Sequence, residues 1–182
     1  MNRLTGFITV AILAALAIGS AACGIGTAKT ENAPDRVSVV KTERGTAVGQ
    51  LAPEFELAKT DGTKISLKEL EGSPAMIVFW TAWCPVCKEE APHVNEIFEE
   101  FGPKGLNVVG INIGESDARV QEGIKDFGIK YAVAMDTTTS VAKSYKVVGT
   151  PTVVILDKKG TVKYFGNEIP KNSGELIASL LL

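Results

Sequence analysis

Two cysteines stand at i and i+3 in the run Trp83-Cys84-Pro85-Val86-Cys87. The run follows a continuous apolar stretch, Ala75–Trp80, which reads as a strand buried on both faces. It opens a helical pattern in which Val94, Ile97, Phe98 and Phe101 form one apolar face. That setting has a chemical consequence. A thiol at a helix N-terminus meets free backbone N–H groups and the positive end of the helix dipole, and both favour the thiolate. A lowered pKa makes Cys84 the attacking group. Pro85 occupies an early helical position, where its missing N–H costs little. Cys87 falls one turn further on, within reach of Cys84 but more covered, and is assigned as the resolving cysteine. Such a pair can cycle. Cys84 opens a disulfide to form a mixed disulfide, then Cys87 displaces the product and leaves Cys84–Cys87 oxidised.

A second element lies far off in the chain. Val148-Gly149-Thr150-Pro151 immediately precedes an apolar strand, Thr152–Leu156. A proline there blocks ladder pairing at its nitrogen and is often a cis, turn-forming feature.

The elements that must position these residues follow a regular order. Pro53–Leu57 alternates, Asp61-Gly62 is a turn signal, and Lys64–Leu67 completes a hairpin. After the cysteine-bearing helix, which Gly102-Pro103 should end, come a buried strand at Leu106–Ile113 and a helix at Asp117–Phe127 with Ser116 as N-cap. A short strand at Tyr131–Met135, a short helix at Thr138–Tyr145, the strand Thr152–Leu156, a turn at Asp157–Gly160, a partner strand at Thr161–Phe165 and a closing helix at Ser173–Leu181 complete the chain. Strand–helix alternation argues an α/β fold, and the two hairpins argue a mixed sheet.

Together these residues resemble the thioredoxin-like superfamily. More narrowly, they resemble the redoxin-like (AhpC/TSA-like) extracytoplasmic, membrane-tethered thiol–disulfide oxidoreductases of the TlpA/ResA type, which include cytochrome c maturation proteins. The resemblance covers about residues 50–180. It is carried by Ala52-Pro53-Glu54-Phe55, Asp61-Gly62, Phe79-Trp80-Thr81-Ala82-Trp83-Cys84-Pro85-Val86-Cys87, Pro92 and Gly149-Thr150-Pro151. It implies a thioredoxin-like fold: a central mixed β-sheet flanked by helices, with an N-terminal β-hairpin and an inserted strand–helix unit. It also implies that Pro151 is cis and faces the cysteines, that Thr150 offers its backbone to an incoming peptide, that Trp83 flanks the nucleophile and that Pro92 kinks the helix. Trp83, Pro85, Thr150 and Pro151 are then the substrate-binding residues. Many thioredoxins carry a buried acid six residues before the first active-site cysteine, and here that place is Val78. Proton transfer at Cys87 therefore needs another group or water, and Glu89, Glu90, Glu54 and Glu56 are the candidates.

The third cysteine is a separate matter. Residues 1–23 carry a positive start at Arg3, an apolar run from Phe7 to Ile18 and small residues up to Cys23, the layout of a secretory signal peptide. The run falls short of the ~20 apolar residues of a spanning helix. Ser20-Ala21-Ala22-Cys23 resembles a bacterial lipobox, in which the cysteine is acylated and the peptide is cut before it. Ser20 departs from the usual bulky aliphatic residue. Two or more acyl chains give stable anchoring. An incidental Cys23 with ordinary cleavage, or an uncleaved signal anchor, are the other readings. All three put the remainder on the extracytoplasmic (periplasmic) face of the cell envelope. The expected organisation is a signal peptide over 1–22, a lipid anchor and flexible tether over 23–49, and a thioredoxin-like domain over 50–182. A short strand at Val37, Val39 and Val40 fits within the tether.

Composition narrows the function classes. The 182 residues carry a formal net charge of −2, which gives no electrostatic footprint for nucleic acid. Three cysteines are too few for a disulfide-stapled scaffold, and one histidine, His93, is too few for an ordinary zinc site. The expected partners are protein thiol/disulfide clients (apocytochrome c among them by resemblance), a membrane thiol electron donor and the membrane itself. No cofactor and no metal are expected, and the domain is expected to be a monomer. Two rival functions share the fold. A copper-delivery chaperone resembles a longer cysteine spacing with a downstream histidine, which this chain does not offer. A thiol peroxidase fits Thr81-xx-Cys84, but Ile77 replaces the expected proline and Arg119 is the only arginine after residue 50.

Overall fold

The computed structural model describes residues 43–182. The expected signal segment, Cys23, most of the expected tether and the strand expected at Val37, Val39 and Val40 lie outside the described residues.

The sheet is built around β3 (Ala75–Trp80), all six of whose residues are buried. β4 (Asn107–Ile113) pairs parallel with it on one side and β6 (Thr152–Leu156) antiparallel on the other. β5 (Ala132–Asp136) extends the parallel part beyond β4. The N-terminal hairpin, β1 (Glu56–Lys59) and β2 (Lys64–Ser66), joins through β1 against β5, and β7 (Val162–Gly166) closes the far side. The order is β2-β1-β5-β4-β3-β6-β7. It is the mixed sheet that the two hairpins and the strand–helix alternation imply, with β5 as the inserted strand.

Both faces of β3 are covered, which is why the stretch reads as unbroken apolar sequence rather than alternation. Ile77 and Phe79 face a core that includes Ile111, Val154 and Tyr145. Met76 and Val78 face Val94, Ile97 and Phe101 of α2 (Pro85–Phe101) and Ile177 of α5 (Ser173–Leu181). Trp80, one residue before the active-site turn, packs with Val120 and Phe127 of α3 (Asp117–Phe127). Each fully buried side chain of this size contributes about 1.5–3 kcal/mol.

The structure corrects several local expectations. α2 ends at Phe101 with Gly102 as its C-cap, as expected, but the chain does not leave helical geometry there. A 3₁₀ turn at Gly102–Lys104 continues it, since a proline at the first positions of a turn needs no N–H, and Gly105 stops it with φ 105°, open only to glycine without strain. Ser116 precedes α3 but makes no side-chain cap. The inserted helix α4 is shorter than expected, Ser140–Ser144. A four-residue helix, α1 (Leu67–Leu70), was not anticipated, although Ser66-x-x-Glu69 is a capping-box pattern. Glu69 N donates to Ser66 Oγ, and Ser66 N donates back to the Glu69 carboxylate.

Residues 43–49, assigned above to the tether, bond to the domain. Gly49 N donates to Val162 O, Arg44 bridges to Leu51, and the Arg44 guanidinium donates to Ala52 O and pairs with Glu54. Polar, small residues read as linker because nothing local shows that an edge strand is waiting for their backbone groups.

Candidate active site

β3 ends at Trp80, and the chain turns at Thr81-Ala82-Trp83-Cys84, closed by Cys84 N donating to Thr81 O at 3.2 Å. Cys84 is thereby left at the N-cap of α2 in extended conformation, φ −85° and ψ 109°. Its sulfur accepts the Cys87 N–H at 3.1 Å, so one of the helix's free donors points at the thiol as the sequence argument requires. Cys84 and Cys87 form a disulfide with Cα atoms 5.3 Å apart. Both are buried, while Trp83, Pro85 and Val86 around them are exposed.

Across the sheet, the Thr150–Pro151 peptide is cis. The Thr150 carbonyl oxygen lies 3.4 Å from the Cys84 sulfur. Thr152 Oγ1 donates to Gly149 O, and Asn167 Nδ2 donates to both Pro151 O and Thr152 Oγ1, which fixes the loop from behind. All six residues named from sequence (Trp83, Cys84, Pro85, Cys87, Thr150 and Pro151) border the grooves and cavity around the disulfide.

Trp83 stands between two of these depressions. On the Thr150 side is an apolar groove of about 360 Å³ walled by Ile113, Ala142 and Val147. On the α3 side is a cleft of about 400 Å³ that reaches Cys84 and carries Lys88, Arg119 and Asp126. Lys88 ion-pairs with Asp126 at 2.8 Å on the surface. Arg119, distant in sequence, is brought to this cleft by α3, but its guanidinium is engaged by Glu122 and faces Glu115. His93 and Pro92 lie exposed on α2, with Pro92 inside the helix.

The third depression sets the four carboxylates apart by position. A narrow cavity lies beside Cys87 and Pro151. It offers about 10 Å³ to the centre of a water-sized sphere, close to what one water needs. Glu90 is its one lining carboxylate; Glu89 points to solvent, Glu54 is paired with Arg44, and Glu56 is paired with Lys64 at 2.6 Å. Tyr131 also lines the cavity, and burial pushes its phenol well above its ordinary value, so it holds its proton at neutral pH. The i+3 spacing from Cys87 to Glu90 on one helix was the available signal. Glu115, which accepts the Ala82 N–H in the turn before Cys84, and Asn112, which donates to the same carboxylate, gave none, because they belong to the loop after β4 and to β4 itself.

Residues 48–165 match the AhpC/TSA family, about two thirds of the chain. The chain belongs to the AhpC/TSA family. The thiol-disulfide oxidoreductase ResA of Bacillus thuringiensis subsp. konkukian is 33% identical over 115 residues, 63% of this chain and 66% of that protein. The match therefore spans just under two thirds of the relative's length. A secreted disulfide oxidoreductase of Mycobacterium tuberculosis, homologous to E. coli DsbE, superposes with TM-score 0.59 at 25% identity, over 69% of this chain and 93% of that one. The thioredoxin domain of a thiol-disulfide oxidoreductase from Bacteroides vulgatus gives TM-score 0.68 at 21% identity, over 75% and 99%. This AhpC/TSA-family chain therefore has a thioredoxin-like fold and is of the ResA type in sequence. Among its described residues, no helix is long and apolar enough to cross a membrane.

Proposed function

We propose that this protein is a thiol–disulfide oxidoreductase that acts on protein disulfides, as a reductant, from a lipid anchor at Cys23 on the extracytoplasmic face of the membrane. The observation that carries the reaction is the Cys84–Cys87 pair at the start of α2, with the Thr150 carbonyl 3.4 Å from the Cys84 sulfur. The named relatives support the same chemistry. The resemblance to the TlpA/ResA type supports the reductant direction and apocytochrome c as a client, and the lipobox-like Ser20–Cys23 supports the anchor.

In the reduced protein, the Cys84 thiolate is stabilised by the Cys87 N–H and the N-terminus of α2. It attacks one sulfur of a client disulfide. That bond breaks, the leaving client sulfur takes a proton, and Cys84 is joined to the other client sulfur. The Cys87 thiol then passes its proton, through a water in the adjacent cavity, to Glu90 and attacks the Cys84 sulfur. The Cys84–Cys87 bond forms and the second client thiol leaves. A membrane dithiol donor restores the pair. Trp83 and the Thr150 backbone hold the client segment beside the disulfide.

The test is trapping. Cys84→Ser abolishes reduction of a protein disulfide, and Cys87→Ser accumulates a Cys84 mixed disulfide whose client is named by mass spectrometry from cells. A Cys84→Ser variant that reduces the substrate at the wild-type rate sinks the proposal, and rapid hydroperoxide consumption by the reduced protein would favour a peroxidase instead. Metabolic labelling with a fatty acid, present in the wild type and lost in Cys23→Ser, tests the anchor.

A further inference from the structure

The turn that delivers Cys84 has a backbone donor that its own geometry does not satisfy. Its single closing bond uses Cys84 N and Thr81 O, and the register between β3 and β4 ends at Trp80 opposite Asn112. The N–H of Ala82 is left over, on a residue that is itself buried, and a buried N–H needs an acceptor. It finds one in a side chain. Ala82 N donates to Glu115 Oε2 at 2.7 Å, across thirty-three residues of chain. The same oxygen accepts from Asn112 Nδ2 at 2.7 Å, and Arg119 Nε stands 3.9 Å from Oε1. The Glu115 side chain is only 9% exposed, so its charge is held by these three groups rather than by water.

A second contact grips the same residue from the helix that follows Glu115. Gly123 of α3 lies so close to the turn that a Cβ there would be 2.7 Å from the Ala82 methyl carbon and 2.9 Å from the Trp80 ring. Ala82 is thus held at its N–H by the loop before α3 and at its methyl by α3 itself. Trp83 and Cys84 are the next two residues along.

We infer that Glu115 is a positioning residue: its buried carboxylate pins the Thr81–Cys84 turn and so sets the aim of the Cys84 sulfur between the Cys87 N–H and the Thr150 carbonyl. The inference rests on the oxidoreductase reading for its effect on rate, and on the hydrogen bond alone for its effect on the turn. Glu115 touches no reacting atom. Its contribution is orientation, where a shift of about an ångström at the attacking atom is enough to cost rate.

Three variants separate the possibilities. In Glu115→Gln, one carbonyl oxygen still accepts both N–H groups although the charge is gone. In Glu115→Ala, neither bond remains, and Glu115→Asp, one methylene shorter, stands in for it if the alanine variant does not fold. Two readouts are taken on the whole protein: amide hydrogen exchange at Ala82, and the single-turnover rate of the reduced protein with a two-cysteine peptide disulfide. The expected result is protection at Ala82 in wild type and Glu115→Gln with rates within about twofold of each other. Glu115→Ala should lose the protection and slow roughly tenfold. A Glu115→Ala rate equal to wild type, or a Glu115→Gln rate as low as that of Glu115→Ala, overturns the proposal. A wild type that does not react with the peptide at all removes the oxidoreductase reading instead. The Ala82 amide then decides by itself, and equal protection in every variant overturns the latch.

Discussion

The sulfur of Cys84 and the carbonyl oxygen of Thr150 lie 3.4 Å apart, although sixty-six residues of chain separate them. The contact follows from β3 and β6 running antiparallel side by side, with Phe79 opposite Thr152, so the end of one strand meets the start of the other. In the disulfide the sulfur carries no hydrogen and the contact is packing only. On reduction a Cys84 thiol can donate to this oxygen, whereas the Cys87 N–H favours the thiolate. The proposed nucleophile therefore sits between one group that holds its proton and one that releases it.

Glu90 is the carboxylate that shares a cavity with Cys87. Glu90→Gln should leave the first attack by Cys84 near the wild-type rate and slow the release of the client by roughly 10–100-fold. Stopped-flow measurement with a fluorescent peptide disulfide separates the two phases. Equal release rates in variant and wild type would show that water alone serves Cys87.

Asn95 lies buried on α2 and ties that helix to the segment after α3. Its Nδ2 donates to Gly128 O at 2.9 Å, and its Oδ1 accepts Lys130 N at 3.0 Å. Asn95→Ala should lower unfolding stability in urea by about 1–3 kcal/mol, the cost of leaving such groups unpaired. Asn95→Asp keeps the Lys130 bond but cannot donate to Gly128, so it should also be less stable than wild type.

Gly123 permits α3 to close on the active-site turn. An alanine there gains about 1 kcal/mol of helix propensity but crowds Ala82 and Trp80, at about 1–3 kcal/mol. Gly123→Ala is expected to be less stable than wild type despite the helical gain. An unchanged or raised urea midpoint would show that the helix can move away without cost.

Asp61 closes the turn between β1 and β2. The Thr63 hydroxyl at 2.6 Å, the Thr63 N–H at 2.9 Å and Lys59 hold its pKa down from the ordinary 3.8 to about 2. A depressed folded-state pKa adds stability above the unfolded value and loses it as pH falls through the folded one. The stability difference between wild type and Asp61→Ala should thus be constant at neutral pH and shrink between about pH 4 and about pH 2. A difference independent of pH across that window would refute the assignment.

What the sequence by itself determined was local. The pair Cys84 and Cys87 is legible because one helical turn separates the two thiols and a buried strand must end just before them. The sheet's central strand is legible because burial on both faces demands an unbroken apolar run. The mixed α/β fold follows from strand–helix alternation with two hairpins. What only the tertiary structure decided depends on which segments become neighbours. Glu89, Glu90, Glu54 and Glu56 are equivalent as residues, and only the cavity beside Cys87 singles out Glu90. Nothing near Glu115 marks it, since its partner is the one backbone N–H left over when a distant turn closes. The docking of residues 43–49 was likewise set by what the finished sheet offered. Periodicity reports which face of an element is buried. It does not report which polar group another element will leave unpaired.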